Sequence, residues 1–155
     1  MIHIRNESLE HLVDESSVRF AAEATLVDQN ARECEVSIML TDDSQIQKLN
    51  FNYRQTDEPT DVLAFAMREG LDGDLHSDLL GDVVISLASA KRQSDENGCS
   101  FDVELARLTV HGVLHLLGYN HQTQDEEDTM FEIQERVLCT VRTLSLIHIR
   151  RCRRR

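Results

Sequence analysis

The sequence predicts an α/β fold, in which a single domain contains a small mixed four-stranded sheet packed with about five helices. Short apolar runs typical of strands alternate with stretches whose apolar residues recur every three or four positions, as on a helix. No repeat or linker divides the 155 residues, a length close to that of one common domain. These observations favour one layered core.

The chain begins with a predicted strand and a predicted helix. Residues 2–5 suit a short edge strand. Residues 14–29 predict a helix that Asp14 caps, because an aspartate side chain accepts hydrogen bonds from the first N–H groups of a helix. The apolar face of this helix would consist of Val18, Ala21, Ala22, Thr25 and Leu26.

Further strands and a second helix follow. Two sets of residues alternate over 34–41, which predicts a half-exposed strand, and Thr41 is also predicted to cap the next helix. One face of that helix would contain Ile46, Leu49 and Tyr53. The nearly continuous apolar runs at 62–67 and 83–87 predict central strands, separated by a loop rich in glycine and aspartate.

The remainder of the chain is predicted to be mostly helical. Residues 86–97 predict a helix that Gly98 ends, and residues 102–117 predict a second helix. Thr123 and Glu126 form a capping-box pattern for a last helix. The core-facing residues of the last two helices would be Val103, Ala106, Val110, Val113 and Leu117, and then Met130, Ile133, Val137 and Val141.

The spacing of His111, His115 and His121 indicates a metal site. His111 and His115 would lie one helical turn apart, so both imidazoles can point at one ion. Gly118 can adopt a left-handed backbone at the helix end, which would return the chain so that His121 supplies a third nitrogen. Three neutral ligands leave a coordination position open, as in catalytic rather than structural zinc sites.

Other interpretations of these histidines are less favoured. Single histidines are more often core or capping residues, but the third histidine and the turn glycine favour a metal. Imidazole also suits nickel, copper and iron, so Zn²⁺ is favoured for its redox inertness and its use in hydrolysis. In zinc peptidases with this spacing, a glutamate follows the first histidine and acts as general base. Here that position is Gly112, which argues against peptide hydrolysis.

With these residues in view, the chain resembles the YbeY family of bacterial endoribonucleases, which act in ribosomal RNA maturation. Three motifs carry the resemblance in the family's order: Arg-Gln-Thr-Asp-Glu-Pro-Thr-Asp-Val-Leu-Ala-Phe at 54–65, Leu-Gly-Asp-Val-Val-Ile at 80–85 and the histidine block at 111–121. The match extends over roughly residues 6–141. Asn120 stands where the family usually has aspartate, which keeps the hydrogen-bonding oxygen but not the charge.

The resemblance implies a single-strand-specific, zinc-dependent endoribonuclease that matures the 3′ end of 16S rRNA and contributes to ribosome quality control. It implies rRNA and the 30S and 70S ribosomal particles as partners, with a small-subunit ribosomal protein and a ribosome-associated GTPase as neighbours. No strong protein base is evident, so activated water or a substrate 2′-hydroxyl would attack the phosphate. The alternative is a non-catalytic ribosome assembly factor whose metal mainly holds the helix and return loop.

Arg54 and Asp82 each allow two interpretations. By spacing alone, Arg54 is an exposed arginine at a helix end, where the helix dipole favours it. The resemblance instead implies that Arg54 is catalytic and donates hydrogen bonds to a phosphate at the metal, with Pro59 fixing the turn that follows. Asp82 would either accept a hydrogen bond from a ligand histidine or make an ordinary hydrogen bond at the strand end.

The composition predicts local rather than general RNA binding. The formal net charge is −12, and Lys48 and Lys91 are the only lysines. Any RNA-binding surface should therefore be a groove near the metal and Arg54. The absence of a signal-peptide pattern or a long apolar run predicts a cytoplasmic protein with no membrane partner, and the lack of a Cys-x-x-Cys pair predicts reduced, mostly buried thiols.

The predicted functional domain comprises residues 1–143. Residues 144–155 form a basic tail on an acidic chain, and we expect this tail to be disordered or non-native, with an RNA-binding arm as the alternative. The acidic residues at 72–78 alternate like calcium ligands but lack the glycine and glutamate of a calcium loop, so a solvated surface loop is expected.

Overall fold

The structure, a computed structural model, describes residues 1–8, 13–55, 60–67, 79–119 and 122–153, with side chains as far as Arg142. Pro59 and the acidic loop lie outside these residues. The strands are β1 (Ile2–Asn6), β2 (Glu35–Thr41), β3 (Val62–Ala66) and β4 (Leu79–Ser86). The helices are α1 (Glu15–Asp28), α2 (Asp43–Arg54), α3 (Leu87–Asn97), α4 (Phe101–Leu116) and α5 (Gln124–Arg153). The predicted α/β class, with a small mixed sheet and five helices in the described ranges, is confirmed.

The sheet has the strand order β1-β2-β4-β3. β1, β2 and β4 are parallel, and β3 is antiparallel to β4. The prediction of two central strands is correct for β4 but wrong for β3, which is an edge strand. β3 is nevertheless apolar along its length because helices cover both of its faces. Val62 contacts α4, and Leu63 packs with Ile46 of α2 on the other face.

Most helix boundaries follow the sequence prediction. The carboxylate of Asp14 accepts a hydrogen bond from the backbone N–H of Ser16 at 3.0 Å. Gly98 ends α3 in the left-handed region, with φ of 67°. Thr123 accepts the backbone N–H of Glu126 at 3.2 Å. At each of these helix ends, a capping residue pairs a backbone group that would otherwise have no hydrogen-bond partner.

The start of α2 differs from the prediction by one residue. Asp42 rather than Thr41 is the N-cap, because Thr41 remains in β2 and pairs with Ser86 of β4. The predicted apolar face of α2 is also only partly correct. Ile46 is fully buried, whereas Tyr53 is 69% exposed near the end of the helix.

α4 lies at the centre of the molecule. With α1 it forms the main core on one face of the sheet, which includes Val18, Ala22, Leu26, Ile38, Leu40, Ile85, Leu105, Leu108 and Val113. The opposite side of α4 packs against α5 through Val110, Leu114, Ile133 and Val137. A helix that is buried on most sides is held rigidly by its neighbours. Functional side chains on α4 therefore have a well-defined position.

The C-terminal segment is helical where the sequence led us to expect disorder. The backbone of α5 continues to Arg153, and neither proline nor glycine interrupts residues 124–153. Whether residues 144–155 are native stays a prediction.

Among the described parts of the chain, no helix combines the length and apolar character that a membrane crossing requires.

The expectation of mostly buried thiols is only partly correct. Cys34 is buried, Cys99 is partly buried and Cys139 is exposed, and none of these three described cysteines forms a disulfide bond. Exposure of Cys139 follows from its place on the outer side of α5, where it neighbours exposed Thr140.

An ion pair between α1 and α5 should make stability depend on pH. Arg136 donates two hydrogen bonds to Asp28, from Nε at 3.0 Å and from Nη2 at 2.7 Å. These hydrogen bonds lower the pKa of Asp28 below its ordinary value of 3.8. Because the folded carboxylate then binds a proton less readily than the unfolded one, the pair stabilises the fold above that ordinary value. The stabilisation is lost as the pH falls through the folded pKa.

We therefore expect Arg136→Met to lower the free energy of unfolding at neutral pH, and this difference from the wild type to shrink as the pH falls below about 4. Urea unfolding across a pH series measures the effect. Arg142→Met on the same helix is the control, because Arg142 forms no ion pair among the described residues. A difference that is constant with pH would contradict the prediction.

Candidate metal centre

His111 and His115 lie one turn apart on α4, as the sequence predicts. Their Nε2 atoms are 3.1 Å apart, and the rings meet edge to face with centroids 4.6 Å apart. The ligand nitrogens of a tetrahedral zinc ion, at about 2.0–2.1 Å from the metal, lie about 3.3–3.4 Å from one another. The two imidazoles therefore fit a shared ion with little rearrangement.

The chain leaves α4 through Gly118, which has a φ of 104° as the sequence predicts. The Tyr119 hydroxyl then donates a hydrogen bond to Oε1 of Gln29 at 2.6 Å, which holds the segment against the end of α1. His121 and Asn120 lie outside the described residues. Within the described ranges no group of three candidate ligands occurs, so His121 as third ligand stays a prediction.

His111 has a partner that the sequence analysis missed. Its Nδ1 lies 3.2 Å from Oε1 of Gln134, a residue of α5 that is only 8% exposed. A hydrogen bond forms when Nδ1 carries the ring proton and donates it to Oε1 of Gln134. In this tautomer Nε2 keeps its lone pair, which is the group that binds a metal. The sequence contained a signal, because Gln134 is a polar residue within the apolar stripe of Ile133 and Val137.

Gly112 allows α4 to approach the sheet closely. A Cβ atom at this position would lie 2.6 Å from Cγ1 of Val83 and 3.3 Å from Cγ2 of Val62. The position that carries the general base in zinc peptidases is thus inside the contact between helix and sheet. A side chain there would have to displace the side chain of Val83.

The two histidines face a cavity of about 560 Å³ that α2, β3 and α4 enclose. Arg54, the last residue of α2, lines the same cavity and donates from Nη2 to the backbone carbonyl of Ala64 at 3.3 Å. The structure thus brings Arg54 and the histidine pair together. The guanidinium is exposed, so it can also meet a bound anion.

Asp61 and Asp82, the described carboxylates of the upstream motifs, occupy two different places. Asp61 lines the cavity, and its Oδ2 accepts a hydrogen bond from Nε2 of Gln93 at 3.0 Å. Asp82 lies on the opposite face of the sheet, because it alternates along β4 with Val83, which faces α4. The interpretation of Asp82 as a support for a ligand histidine was therefore wrong. The residue that contacts the second ring nitrogen of His111 is Gln134.

Comparison with known proteins gives consistent matches. The family profile described as Endoribonuclease YbeY matches residues 2–142. A curated relative named Endoribonuclease YbeY from Syntrophotalea carbinolica is 44% identical over 128 residues, covering 83% of this chain and 85% of the relative. Another of that name, from Pelotomaculum thermopropionicum, is 50% identical over 122 residues, covering 77% and 80%. The solution structure of TM1509 from Thermotoga maritima is similar, with a TM-score of 0.63 and 25% identity, covering 91% of this chain and 89% of that one.

Proposed function

This chain belongs to the endoribonuclease YbeY family, and from that premise we propose that it is a zinc-dependent endoribonuclease that cleaves single-stranded RNA. The observation that carries the proposal is the 3.1 Å approach of the His111 and His115 Nε2 atoms in a cavity that Arg54 also lines. A permanent positive charge beside a metal-binding pair suits a phosphodiester, because it stabilises the negative charge that develops on phosphate.

Each residue of the site has a proposed role. His111 and His115 hold the ion, with His121 as the proposed third ligand, and Gln134 keeps His111 in the ligating tautomer. When bound, Zn²⁺ would polarise a phosphoryl oxygen or activate the attacking group. Arg54 donates two N–H groups to the phosphate oxygens. Imidazole ligands also accept nickel or another divalent metal.

The proposed substrate is precursor 16S rRNA at its mature 3′ end, and the proposed setting is ribosome maturation and quality control in the cytoplasm. The proposed partners are the 30S and 70S particles, a small-subunit ribosomal protein and a ribosome-associated GTPase. The endoribonuclease name that the family carries supports an RNA substrate. The formal net charge of −12 also supports a ribosomal partner, since a chain this acidic has little general attraction for RNA.

Metal removal tests the proposed function. Full-length protein stripped of metal with a chelator is expected to leave a precursor RNA spanning the mature 3′ end intact, and reloading with Zn²⁺ is expected to produce discrete fragments. A 2′,3′-cyclic phosphate on the fragments would identify the substrate 2′-hydroxyl as the attacking group.

Two results would contradict the proposal. Equal cleavage before and after reloading would indicate a metal-independent activity or a contaminant. No cleavage by protein that has demonstrably bound Zn²⁺ or Ni²⁺ would favour the non-catalytic assembly factor.

Replacing Gln134 should change metal affinity without removing a ligand. Gln134→Leu is expected to weaken Zn²⁺ binding by about 10- to 100-fold, because His111 loses the acceptor that fixes its tautomer. Gln134→Glu should keep or strengthen binding, since a carboxylate only accepts hydrogen bonds. Competition with a chromophoric chelator measures both affinities. Gln124→Leu, at the exposed start of the same helix, is the matched control, and wild-type affinity in Gln134→Leu would refute the assigned role.

A further inference from the structure

The outer face of α2 differs in charge from the chain as a whole. The sequence contains 28 Asp and Glu residues and has a formal net charge of −12, yet no acidic residue lies between Asp43 and Asp57. Lys48 and Arg54 give this stretch a formal charge of +2. Asp43 itself forms an ion pair with Arg92 at 2.8 Å. A polyanion is therefore repelled less along this stretch of α2 than by the acidic segments of the chain.

Lys48, Phe51 and Arg54 form a row on this helix, which we call the α2 ridge. They follow one another at three-residue intervals, so neighbours lie on adjacent turns with about 4.5 Å of helix rise between them. All three are exposed, Phe51 by 54%. The ridge ends at Arg54, which lines the cavity of the histidine pair. It is therefore continuous with the proposed catalytic site.

A second depression of about 510 Å³ borders the ridge. Its lining consists of Ser44, Gln47, Lys48, Phe51 and Asn52. Apart from Lys48, the polar groups here are neutral amides and a hydroxyl, which both donate and accept hydrogen bonds. Such groups suit the edges of unpaired bases, and a phenyl ring beside them offers a stacking surface.

We propose that the α2 ridge binds the single-stranded RNA substrate and leads it into the cavity of the histidine pair. Lys48 contacts a backbone phosphate, Phe51 stacks on a base, and Arg54 meets the phosphate at the cleavage site. Proteins bind single strands by this combination of positive charge along the backbone and aromatic rings under the bases. The inference rests on the proposed function, which makes RNA the substrate.

The α2 ridge could instead bind another protein, as exposed helix faces often do. The observations favour RNA, because the ridge lacks carboxylates in an acidic chain and runs directly into a cavity suited to a phosphodiester. A single aromatic ring between two cations also offers little apolar area for a protein interface, whose centre is normally depleted of charge.

Binding of a cleavage-resistant RNA tests the inference separately from catalysis. Full-length proteins, kept free of metal with a chelator, are titrated into a fluorescein-labelled 2′-O-methyl oligouridine, and fluorescence anisotropy is followed over a salt series. Lys48→Gln is expected to weaken binding and to lower the slope of log affinity against log salt by about 0.7. Phe51→Ala is expected to weaken binding about tenfold. Phe51→Tyr should bind like the wild type, because it keeps the ring.

The chain offers a matched control for each variant. Lys91 is the only other lysine and is exposed on α3, and Phe131 is 60% exposed on α5. Lys91→Gln and Phe131→Ala are expected to bind like the wild type. The basic C-terminal segment is present in every protein and contributes equally to all. Circular dichroism checks that each variant is folded.

The outcomes separate this inference from the proposed function. The inference is overturned if the wild type does not bind the oligonucleotide, or if the ridge variants lose no more affinity than their controls. The latter is the result that a protein-docking role of α2 would give. Ridge-dependent binding by a wild type that never cleaves RNA with metal would refute the enzyme but uphold the RNA-binding surface.

Discussion

Replacement of His115 by alanine is expected to abolish metal-dependent RNA cleavage, reducing its rate by about a thousandfold or more. The variant loses one of two nitrogens that lie 3.1 Å apart and are placed to share an ion. A bound ion supplies several kcal/mol of charge stabilisation in a transition state, which corresponds to about this factor in rate. Cleavage of the precursor RNA and zinc content are measured on the same preparations.

Two further variants make this result specific. His3→Ala should keep both zinc and cleavage, because His3 is an exposed residue of β1 that bonds to Glu35 at 2.7 Å. Arg54→Ala should keep zinc, but its cleavage rate should fall by about 100- to 1000-fold. This is the usual effect of removing one hydrogen-bond donor to the negative charge of the transition state. Undiminished cleavage by folded His115→Ala would rule out the proposed centre. If the Arg54→Ala variant matures rRNA as well as the wild type does, the proposed catalytic role of Arg54 is wrong.

Gly112→Ala is expected to lower the free energy of unfolding by about 1–3 kcal/mol, the usual cost of overpacking a filled core. The added methyl group would lie 2.6 Å from Cγ1 of Val83, a fully buried residue of a central strand. The sign of the change is informative, because alanine at an unhindered interior helix position is more stable than glycine by about 1 kcal/mol. Urea unfolding monitored by circular dichroism measures the difference.

A double-mutant cycle with Val83→Ala identifies the cause. Val83→Ala removes the atoms that the new methyl group would meet, so the double variant should be less destabilised than the sum of the single variants. Additive effects would mean that contact with Val83 is not the reason why alanine at position 112 is unfavourable. A stabilised Gly112→Ala would show that α4 and the sheet are less closely packed than the structure indicates.

Local signals in the sequence explain which elements were predicted well. Asp14, Gly98 and the Thr123 and Glu126 pair act on their own helix ends, so their effect does not depend on distant residues. The buried face of α1 follows in the same way from helical periodicity. Where a neighbour in space decided the outcome, the prediction was less accurate. Thr41 was retained in β2 by pairing with Ser86.

The edge position of β3 shows a further reason for error. Apolar patterning does not distinguish an edge strand from a central one when helices pack against both faces. β3 packs against α2 and α4 although it pairs with only one strand in the described sheet. Asp82 shows the complementary case. A sequence motif placed it beside Val83, but strand alternation turned the two side chains to opposite faces of the sheet.

The sequence by itself determined the spacing of His111 and His115 and the turn at Gly118, because helical geometry and glycine's backbone freedom are local properties. Only the tertiary structure decided that Gln134 from α5 contacts His111 and that Arg54 reaches the same cavity from α2. These residues belong to separate helices, and their approach depends on how the helices pack around the sheet. That packing is the sum of many weak, long-range contacts that no single motif encodes.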